Sequence, residues 1–342
     1  MFKENIKKLK YVSAFYQKKM VHLNLQLLYN CNFRCKICDF WKDSFVKSKP
    51  LSVEQIRAIS DKLKPISPLV ISIGGGEPLL HKNIIEITEI LAEDHFPVMI
   101  CNGWYITPEI AKKLFLAGMH EVSISVDYAD AEKHDAQRGK KGAYEKALKA
   151  LQILNENRAY PWQRVHMISV VMDDNLDQIE PLINIAKNMG ITYLLTFYSN
   201  QRGAKPEQKH SVDTAEYLLS LKKKYKEFVS LPGYLAQFSK ANSPEGVSPC
   251  FAGKNLFNIE SHGNVTRCID RLDDPAGNIF EHDLKSLLKK LHLQYETDKC
   301  GNCWTSCRGA IETLMHGKNK IENYKAYFEM TRDQKIMQKS IT

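Results

Sequence analysis

From residue 21 to about residue 200 the chain switches repeatedly between two hydrophobic periods, and this alternation limits what it can fold into more than any other feature. "VHLNLQLLYN" sets Val21, Leu23, Leu25 and Leu27 against His22, Asn24 and Gln26, the two-residue alternation of a strand. Ser52 and Gln55 form a capping box that opens a helix to about Leu63. "LVISIGG" reads as a buried strand ending in glycines, residues 82–94 as a helix and "FPVMICN" as the next strand. Thr107 caps a helix with Pro108 at its first position and Gly118 past its end. "EVSISVD", a helix over 142–157, "VHMISVVMD", a helix over 175–189 closed by Gly190, and "TYLLTFYS" complete the series. Regular alternation of this kind builds a parallel sheet with right-handed crossovers, either doubly wound or curled into a barrel. Both architectures place their sites at the C-terminal ends of the strands.

The unusual motifs all fall at such ends: Cys31–Cys38, Gly74–Pro78, Asn102–Gly103 and Ser125–Asp127. The chain around this core divides into residues 1–20, a core over 21–230, a linker over 231–249 and a turn-rich region over 250–342. Residues 1–20 place Phe2, Ile6, Leu9, Val12 and Tyr16 at helical spacing with lysines between them. Such a helix can lie on a membrane surface, but packing against its own domain is the expectation here. A lysine-rich helix follows Ser211 to about Val229, and Leu231–Pro249 carries the Pro, Gly and Ser of a linker. Only some twenty residues precede the first strand, so no leader-recognition domain is expected ahead of it.

No signal peptide or membrane-length apolar run is visible, which leads to the expectation of a cytosolic protein. The formal net charge of +9 favours anionic partners in general. The lysines are dispersed without interleaved aromatics, so a solvated surface is expected rather than nucleic-acid binding. Nine cysteines in a reducing compartment argue against a disulfide framework. They fall into two groups, Cys31/Cys35/Cys38 and Cys250/Cys268/Cys300/Cys303/Cys307, which suggests two soft-metal or iron–sulfur sites. Cys101 stands apart in an apolar strand and reads as a small buried hydrophobe.

"CNFRCKIC" offers three thiolates, so a four-iron cluster bound there keeps one iron for an outside ligand. Structural zinc with a fourth ligand from elsewhere fits the spacing as well. The C-x3-C-x2-C pattern resembles that of radical S-adenosylmethionine (AdoMet) enzymes, and the resemblance runs through most of the chain. "GGGEP" (Gly74–Pro78) resembles their glycine-rich motif, "CNGWYIT" their Asn-Gly turn, and "VSISVDYADAEKHDAQRGKKGAYEKAL" their Ser-x-Asp strand and His-Asp-x-x-Arg-Gly helix start. The resemblance implies a partial (β/α)6 TIM-like barrel. It also implies a [4Fe–4S] cluster on Cys31, Cys35 and Cys38 whose fourth iron is chelated by AdoMet, a reductant such as flavodoxin or ferredoxin, and a 5′-deoxyadenosyl radical that takes hydrogen from substrate. Gly75, Gly76, Glu77, Asn102, Ser125, Asp127 and Arg138 are the implied cofactor contacts. Each has a physical basis: glycines admit close backbone approach, Glu77 accepts from an ammonium, Ser125 and Asp127 share a strand face, and Arg138 presents a planar fork. Ile37 stands where the family often has an aromatic, so adenine packing there is aliphatic or comes from elsewhere.

"SPCFAGKNLFNIESHGNVTRC" and "KCGNCWTSCRG" resemble the family's C-terminal SPASM and twitch domains, with "NIESHGNVTRC" as their hairpin. Five cysteines imply one auxiliary [4Fe–4S] cluster, with structural zinc the alternative. Which four of Cys250, Cys268, Cys300, Cys303 and Cys307 ligate stays open. Relatives of this type make peptide or protein modification the leading substrate class, with a small molecule or lipid as runner-up. A non-catalytic metal-binding protein is the reading from another class, and it leaves Glu77, Ser125 and Arg138 without purpose. No catalytic acid or base is identified; His22, Tyr198, Asn200 and Arg202 lie near strand ends and are candidates by position alone.

Overall fold

A computed structural model describes residues 2–42, 45, 47–199, 214–241, 243–298, 300–301 and 303–331. Asn200 and Arg202 lie outside the described residues. After α1 (Phe2–Tyr16) come β1 (His22–Leu28), α2 (Val53–Leu63), β2 (Val70–Gly75), α3 (Ile84–Ala92), β3 (Phe96–Cys101), α4 (Pro108–Leu116) and β4 (Glu121–Ser125). Two helices, α5 (Ala131–Arg138) and α6 (Ala143–Glu156), lead to β5 (Arg164–Val171), α7 (Leu176–Asn188) and β6 (Thr192–Phe197). The described strands form one sheet in the order β6-β5-β4-β3-β2-β1-β7-β8-β9, in which β1 to β6 pair in parallel. A doubly wound sheet reverses its strand order at a switch point. Here all six β/α strands, β1 to β6, follow one another across the sheet without such a switch, and the open choice resolves to the partial barrel.

The local signals hold. Ser52 Oγ accepts from Gln55 N at 3.2 Å while Gln55 Oε1 accepts from Ser52 N at 2.9 Å, and Thr107 Oγ1 accepts from Ile110 N at 3.2 Å. A cap of this kind contributes about 1 kcal/mol. The core lies between the strands and the helix layer, where Leu23, Leu25, Ile71, Met99, Val122 and Leu195 are fully buried.

In β1 all seven residues are buried. Leu23, Leu25 and Leu27 belong to the main hydrophobic core, while Asn24 and Gln26 line the interior cavity. The polar side of the alternation is thus the inside of the barrel and not a solvent face.

After α8 (Thr214–Lys224) the segment over 231–249, read as a linker, begins with packed residues. Short helices α9 (Pro232–Leu235) and α10 (Phe238–Ala241) bury Leu231, Tyr234, Leu235 and Phe238 in the core. Tyr234 Oη donates to Trp304 O at 3.1 Å, and Trp304 Nε1 donates back to Tyr234 O at 2.9 Å. The Pro, Gly and Ser content signalled turns, and the apolar residues between them make those turns pack.

β7 (Leu256–Ile259) then pairs in parallel with the free edge of β1, Leu23 opposite Phe257. β8 (Asn264–Thr266) and β9 (Gly277–Asn278) continue antiparallel, with Gly263 at φ 85° in the β7–β8 turn, a conformation suited to glycine. The last helices are α11 (Leu284–Thr297), α12 (Ser306–His316) and α13 (Lys320–Thr331).

α1 packs on the face opposite to the one its pattern suggested. Ile6, Leu9, Val12 and Tyr16 are exposed, while Lys7 is buried and Tyr11 and Phe15 pack inward. The reason is polar: Lys7 Nζ donates to Ala92 O at 2.9 Å and His95 O at 3.2 Å, and Glu4 meets His120 at 3.2 Å. These groups at the N-terminal end of the barrel select a charged anchor over the apolar stripe. Among the described residues no helix is long and apolar enough to cross a membrane.

Candidate functional site

One cavity of about 410 Å³ opens among the C-terminal ends of the strands. Its wall includes Cys31, Cys35 and Cys38 together with Cys250, Cys268, Cys300, Cys303 and Cys307, so both cysteine groups face one space.

The first group sits on a loop clamped by backbone. Lys36 N donates to Gln137 O at 2.9 Å and Arg34 N to Arg138 O at 3.3 Å, tying the loop to the end of α5. Gly139, at φ 61°, lets that helix end close in: a Cβ there would lie 2.5 Å from Arg34 O. On the other side Gly76 N donates to Leu28 O at 2.7 Å and Glu77 N to Asn30 O at 2.9 Å. Burial pushes the Cys31 thiol up to about 12, and also raises Cys35 against the pull of Arg138. Thiols held in this way become thiolates only with strong cationic compensation, which iron supplies on binding.

The glycine motif also serves the packing of the chain on itself. A Cβ on Gly75 (φ 110°) would lie 2.1 Å from Leu28 O, and one on Gly76 would lie 2.0 Å from Asn30 O. Both glycines line the cavity, and a side chain on them would meet the backbone at the end of β1 and the start of the cysteine loop, which they allow to seat against β2. Gly74 faces open space.

Glu77 is almost wholly buried at the cavity wall. Its Oε2 accepts from Asn102 N at 2.9 Å and its Oε1 from Leu79 N at 3.3 Å. Burial raises its carboxyl from 4.5 to about 7, despite those two backbone donors. Asn102 also lines the cavity, but its amide is engaged: Nδ2 donates to Asn32 Oδ1 at 2.8 Å and Oδ1 accepts from Trp104 N at 2.9 Å.

Ser125 and Arg138 line the cavity; Asp127, expected to share the Ser125 face, is fully buried and is absent from the cavity wall. β4 ends at Ser125, so the strand's side-chain alternation does not carry on to Asp127. Asp127 Oδ2 lies 2.6 Å from Arg138 Nη2, and Oδ1 accepts from Val170 N at 2.9 Å. His134 Nδ1 accepts from Asp127 N at 3.2 Å, which requires the neutral ring; burial, with Arg138 nearby, lowers His134 to about 3. Asp135 Oδ1 accepts from Tyr144 N at 2.9 Å, capping the next helix. The His-Asp-x-x-Arg-Gly run is therefore a frame that holds Arg138 at the cavity beside Cys35.

In the second group, Cys250 N donates to Cys300 O at 3.0 Å. Cys268 lies close enough to Cys303 and Cys300, and Cys250 to Cys303, for their thiolates to repel one another. Cys307, in the first turn of α12, is held instead by the Ser72 and Ser306 hydroxyls. Burial raises Cys268 to about 12 and Cys303 and Cys307 to about 11.

Buried Arg308 joins the segments of this group. It donates to the carbonyls of Cys303, Val247 and Pro249, and its Nε donates to Glu312 Oε1 at 2.9 Å. Glu312 in turn accepts from Phe251 N at 2.7 Å. Arg308→Met takes the donor from these carbonyls and the counter-charge from the Glu312 carboxylate, which keeps its bond from Phe251 N. It is expected to cost about 3 kcal/mol in a urea melt, and in a protein lacking the first three cysteines to lose the remaining iron.

The donor chemistry fits iron–sulfur clusters. Cysteine thiolate is the usual ligand of such clusters, and both groups present it at one cavity. Buried polar atoms without a protein partner also stand at this cavity, Gln26 Oε1 and Arg138 Nε among them, and both suit a polar ligand.

Sequence reading missed Ser72, Ser169, Thr196, Arg267, Asp270 and Arg271 of the cavity wall. The signal available for the first three was a polar residue inside an otherwise apolar strand. His22 sits at the opposite end of β1, bonded to Ser72 Oγ at 3.2 Å, and neither it nor buried Tyr198 lines the cavity. Cys101 is buried at the end of β3 and also reaches the wall.

Comparison with known proteins agrees with this geometry. Residues 25–186 match the model of the radical SAM superfamily. The chain is 30% identical to mycofactocin maturase MftC of Mycobacterium tuberculosis (strain ATCC 25618 / H37Rv) over 308 residues, covering 84% of this chain and 77% of that protein. It is 27% identical to the AdoMet-dependent heme synthase of Methanosarcina barkeri (strain Fusaro / DSM 804), over 81% of this chain and 86% of that one. The fold is similar to that of Streptococcus suis SuiB bound to precursor peptide SuiA, with a TM-score of 0.63, 17% identity, and coverage of 84% of this chain and 68% of that one. A three-cysteine loop at the end of β1, facing the cavity with Glu77 and Arg138, thus has its explanation in descent: the chain belongs to the radical SAM superfamily, whose enzymes use a [4Fe–4S] cluster and AdoMet.

Proposed function

We propose that this radical SAM enzyme modifies a peptide or protein side chain, and that its second cysteine group holds an auxiliary [4Fe–4S] cluster. The observation that carries the reading is the single cavity walled by both cysteine groups, so that a substrate inside it lies between them. A division into a barrel over 21–230 and an auxiliary-cluster region over 250–342 belongs to the same proposal.

Cys31, Cys35 and Cys38 are the ligands of the first cluster. When bound, cluster and AdoMet supply a 5′-deoxyadenosyl radical on one-electron reduction, the electron coming from a flavodoxin or ferredoxin. The chain's own residues bind and orient. The Glu77 carboxylate takes the AdoMet ammonium, and Gly74 leaves room beside it. Arg138, steadied by Asp127, offers its Nε to a carboxylate, and Ser125 its hydroxyl. Gly75, Gly76 and Asn102 shape the rim through backbone and amide bonds already made within the protein. Ile37 and Phe40 supply the apolar wall that excludes water. Cys250, Cys268, Cys300 and Cys303 are the auxiliary ligands because they neighbour one another, while Cys307, bonded to Ser72, stays a thiol of the cavity wall.

Peptide modification rests on the maturase relative and on the likeness to SuiB with its precursor peptide. The heme synthase relative favours a second reading, a small-molecule substrate. Reconstituted enzyme with dithionite and AdoMet separates the two. A random peptide library is expected to stimulate 5′-deoxyadenosine formation and to yield peptides lighter by two hydrogens, read by mass spectrometry. Stimulation by a porphyrin, with none by peptides, would move the function to the second reading.

A further inference from the structure

The end of the barrel opposite the cavity is built from different material. α1 lies across the N-terminal strand ends, with Lys7 on Ala92 O and His95 O just before β3 and Glu4 on His120 just before β4. α13 lies beside it: the rings of Tyr16 and Tyr324 stack at 6.1 Å, and Tyr327 sits near Glu121 and Arg164, the first residues of β4 and β5. The first and last described helices thus cover one end of the barrel together.

Their outer faces carry large apolar side chains among polar ones. Leu9 and Tyr16 are 71% and 68% exposed, and Ile321 and Phe328 are 89% and 67% exposed. Val12, between Leu9 and Tyr16, is exposed as well. Single exposed apolar side chains are ordinary on a soluble protein, but a ridge across two touching helices is not.

The surroundings are basic. Lys8, Lys10, Lys18 and Lys19 are exposed beside the α1 ridge. Next to α13, Lys187, Lys222, Lys223, Lys224 and Lys226 line one depression with Glu227 and Glu329. Lys224 pairs with Glu180 and Lys222 with Phe228 O, while Lys187, Lys223 and Lys226 are exposed. Glu322 is the further acid exposed on α13, beside Lys320 and Lys325.

We propose that this face docks on an anionic lipid bilayer. Apolar side chains flanked by lysines match the two layers of such a surface, acyl chains below and negative headgroups above. A second copy of the chain is a poorer occupant, since two faces of this charge repel. Docked in this way, the enzyme turns its cysteine-lined cavity away from the membrane and leaves it open to substrate. The inference does not depend on the radical chemistry.

The full chain is tested by flotation with phosphatidylcholine vesicles, with and without a minority of phosphatidylglycerol. Binding is expected only with phosphatidylglycerol, and is expected to weaken as NaCl rises from about 0.1 M to about 0.5 M. Lys187→Glu/Lys223→Glu/Lys226→Glu and, separately, Leu9→Ser/Ile321→Ser/Phe328→Ser are each expected to lower vesicle affinity roughly tenfold or more, with thermal unfolding and iron content unchanged. Equal binding to both vesicle types, no binding to either, or no change in the variants would overturn the proposal. So would a dimer in light scattering that the apolar variant dissolves, since that would assign the face to a second copy.

Discussion

Replacing Cys31, Cys35 and Cys38 together by alanine is expected to abolish 5′-deoxyadenosine formation and to lower bound iron from about eight to about four per chain. The loop that carries them is held by backbone bonds to Gln137, Arg138, Gly76 and Glu77, none of which involves a thiol; what the substitutions give up is the longer bond from Phe33 N to Cys31 Sγ at 3.4 Å. The substitutions therefore remove the iron ligands without removing what shapes the loop. The packing lost is that of small side chains against Phe33 and Ala143, about 1 kcal/mol for each. The measurement is anaerobic reconstitution, iron and sulfide analysis, and chromatography after incubation with dithionite and AdoMet. Wild-type-only cleavage with half the iron retained supports both clusters. Retention of all the iron would mean that these thiols are not ligands. Four irons in the wild type and none in the variant would leave the first cluster and remove the auxiliary one.

The barrel was legible because each of its strands is a short apolar run bounded by turn residues, and consecutive strands became neighbours. The site was legible for a related reason: residues that serve no core, such as Glu77 and Arg138, stand where strands end. What escaped were non-local choices. Leu256–Ile259 is a strand of four residues whose pairing with β1 joins positions over two hundred residues apart, and no periodicity specifies such a partner. In α1 the apolar stripe was visible, yet the carbonyls of Ala92 and His95 favoured Lys7, whose long stem packs while its ammonium bonds. Asp127 shows a third limit. Its motif was evident, but whether its carboxylate meets a ligand or an arginine depends on where α5 ends.

Glu77→Gln is expected to separate stability from function with opposite signs. Burial raises the Glu77 carboxyl from 4.5 to about 7, so between those values the native protein holds a proton that the unfolded chain has released. The native state then binds more protons, and stability falls as pH rises; the penalty is absent below about 4.5 and complete above about 7. Glutamine keeps the stronger bond, from Asn102 N at 2.9 Å, gives up the weaker one from Leu79 N at 3.3 Å, and has no charge to bury. With no AdoMet added, the stability of the variant relative to wild type is therefore expected to rise by about 2 kcal/mol between about pH 5.5 and about pH 8, read from urea melts. AdoMet affinity moves the other way. Removing the buried carboxylate leaves the ammonium without its counter-charge, and calorimetry is expected to show binding weaker by about a hundredfold. A stability difference that does not vary with pH would mean that Glu77 ionises normally. Unchanged affinity would place the ammonium elsewhere in the cavity. If both effects appear, the same burial that destabilises the carboxylate in the folded chain is what strengthens its hold on a cation.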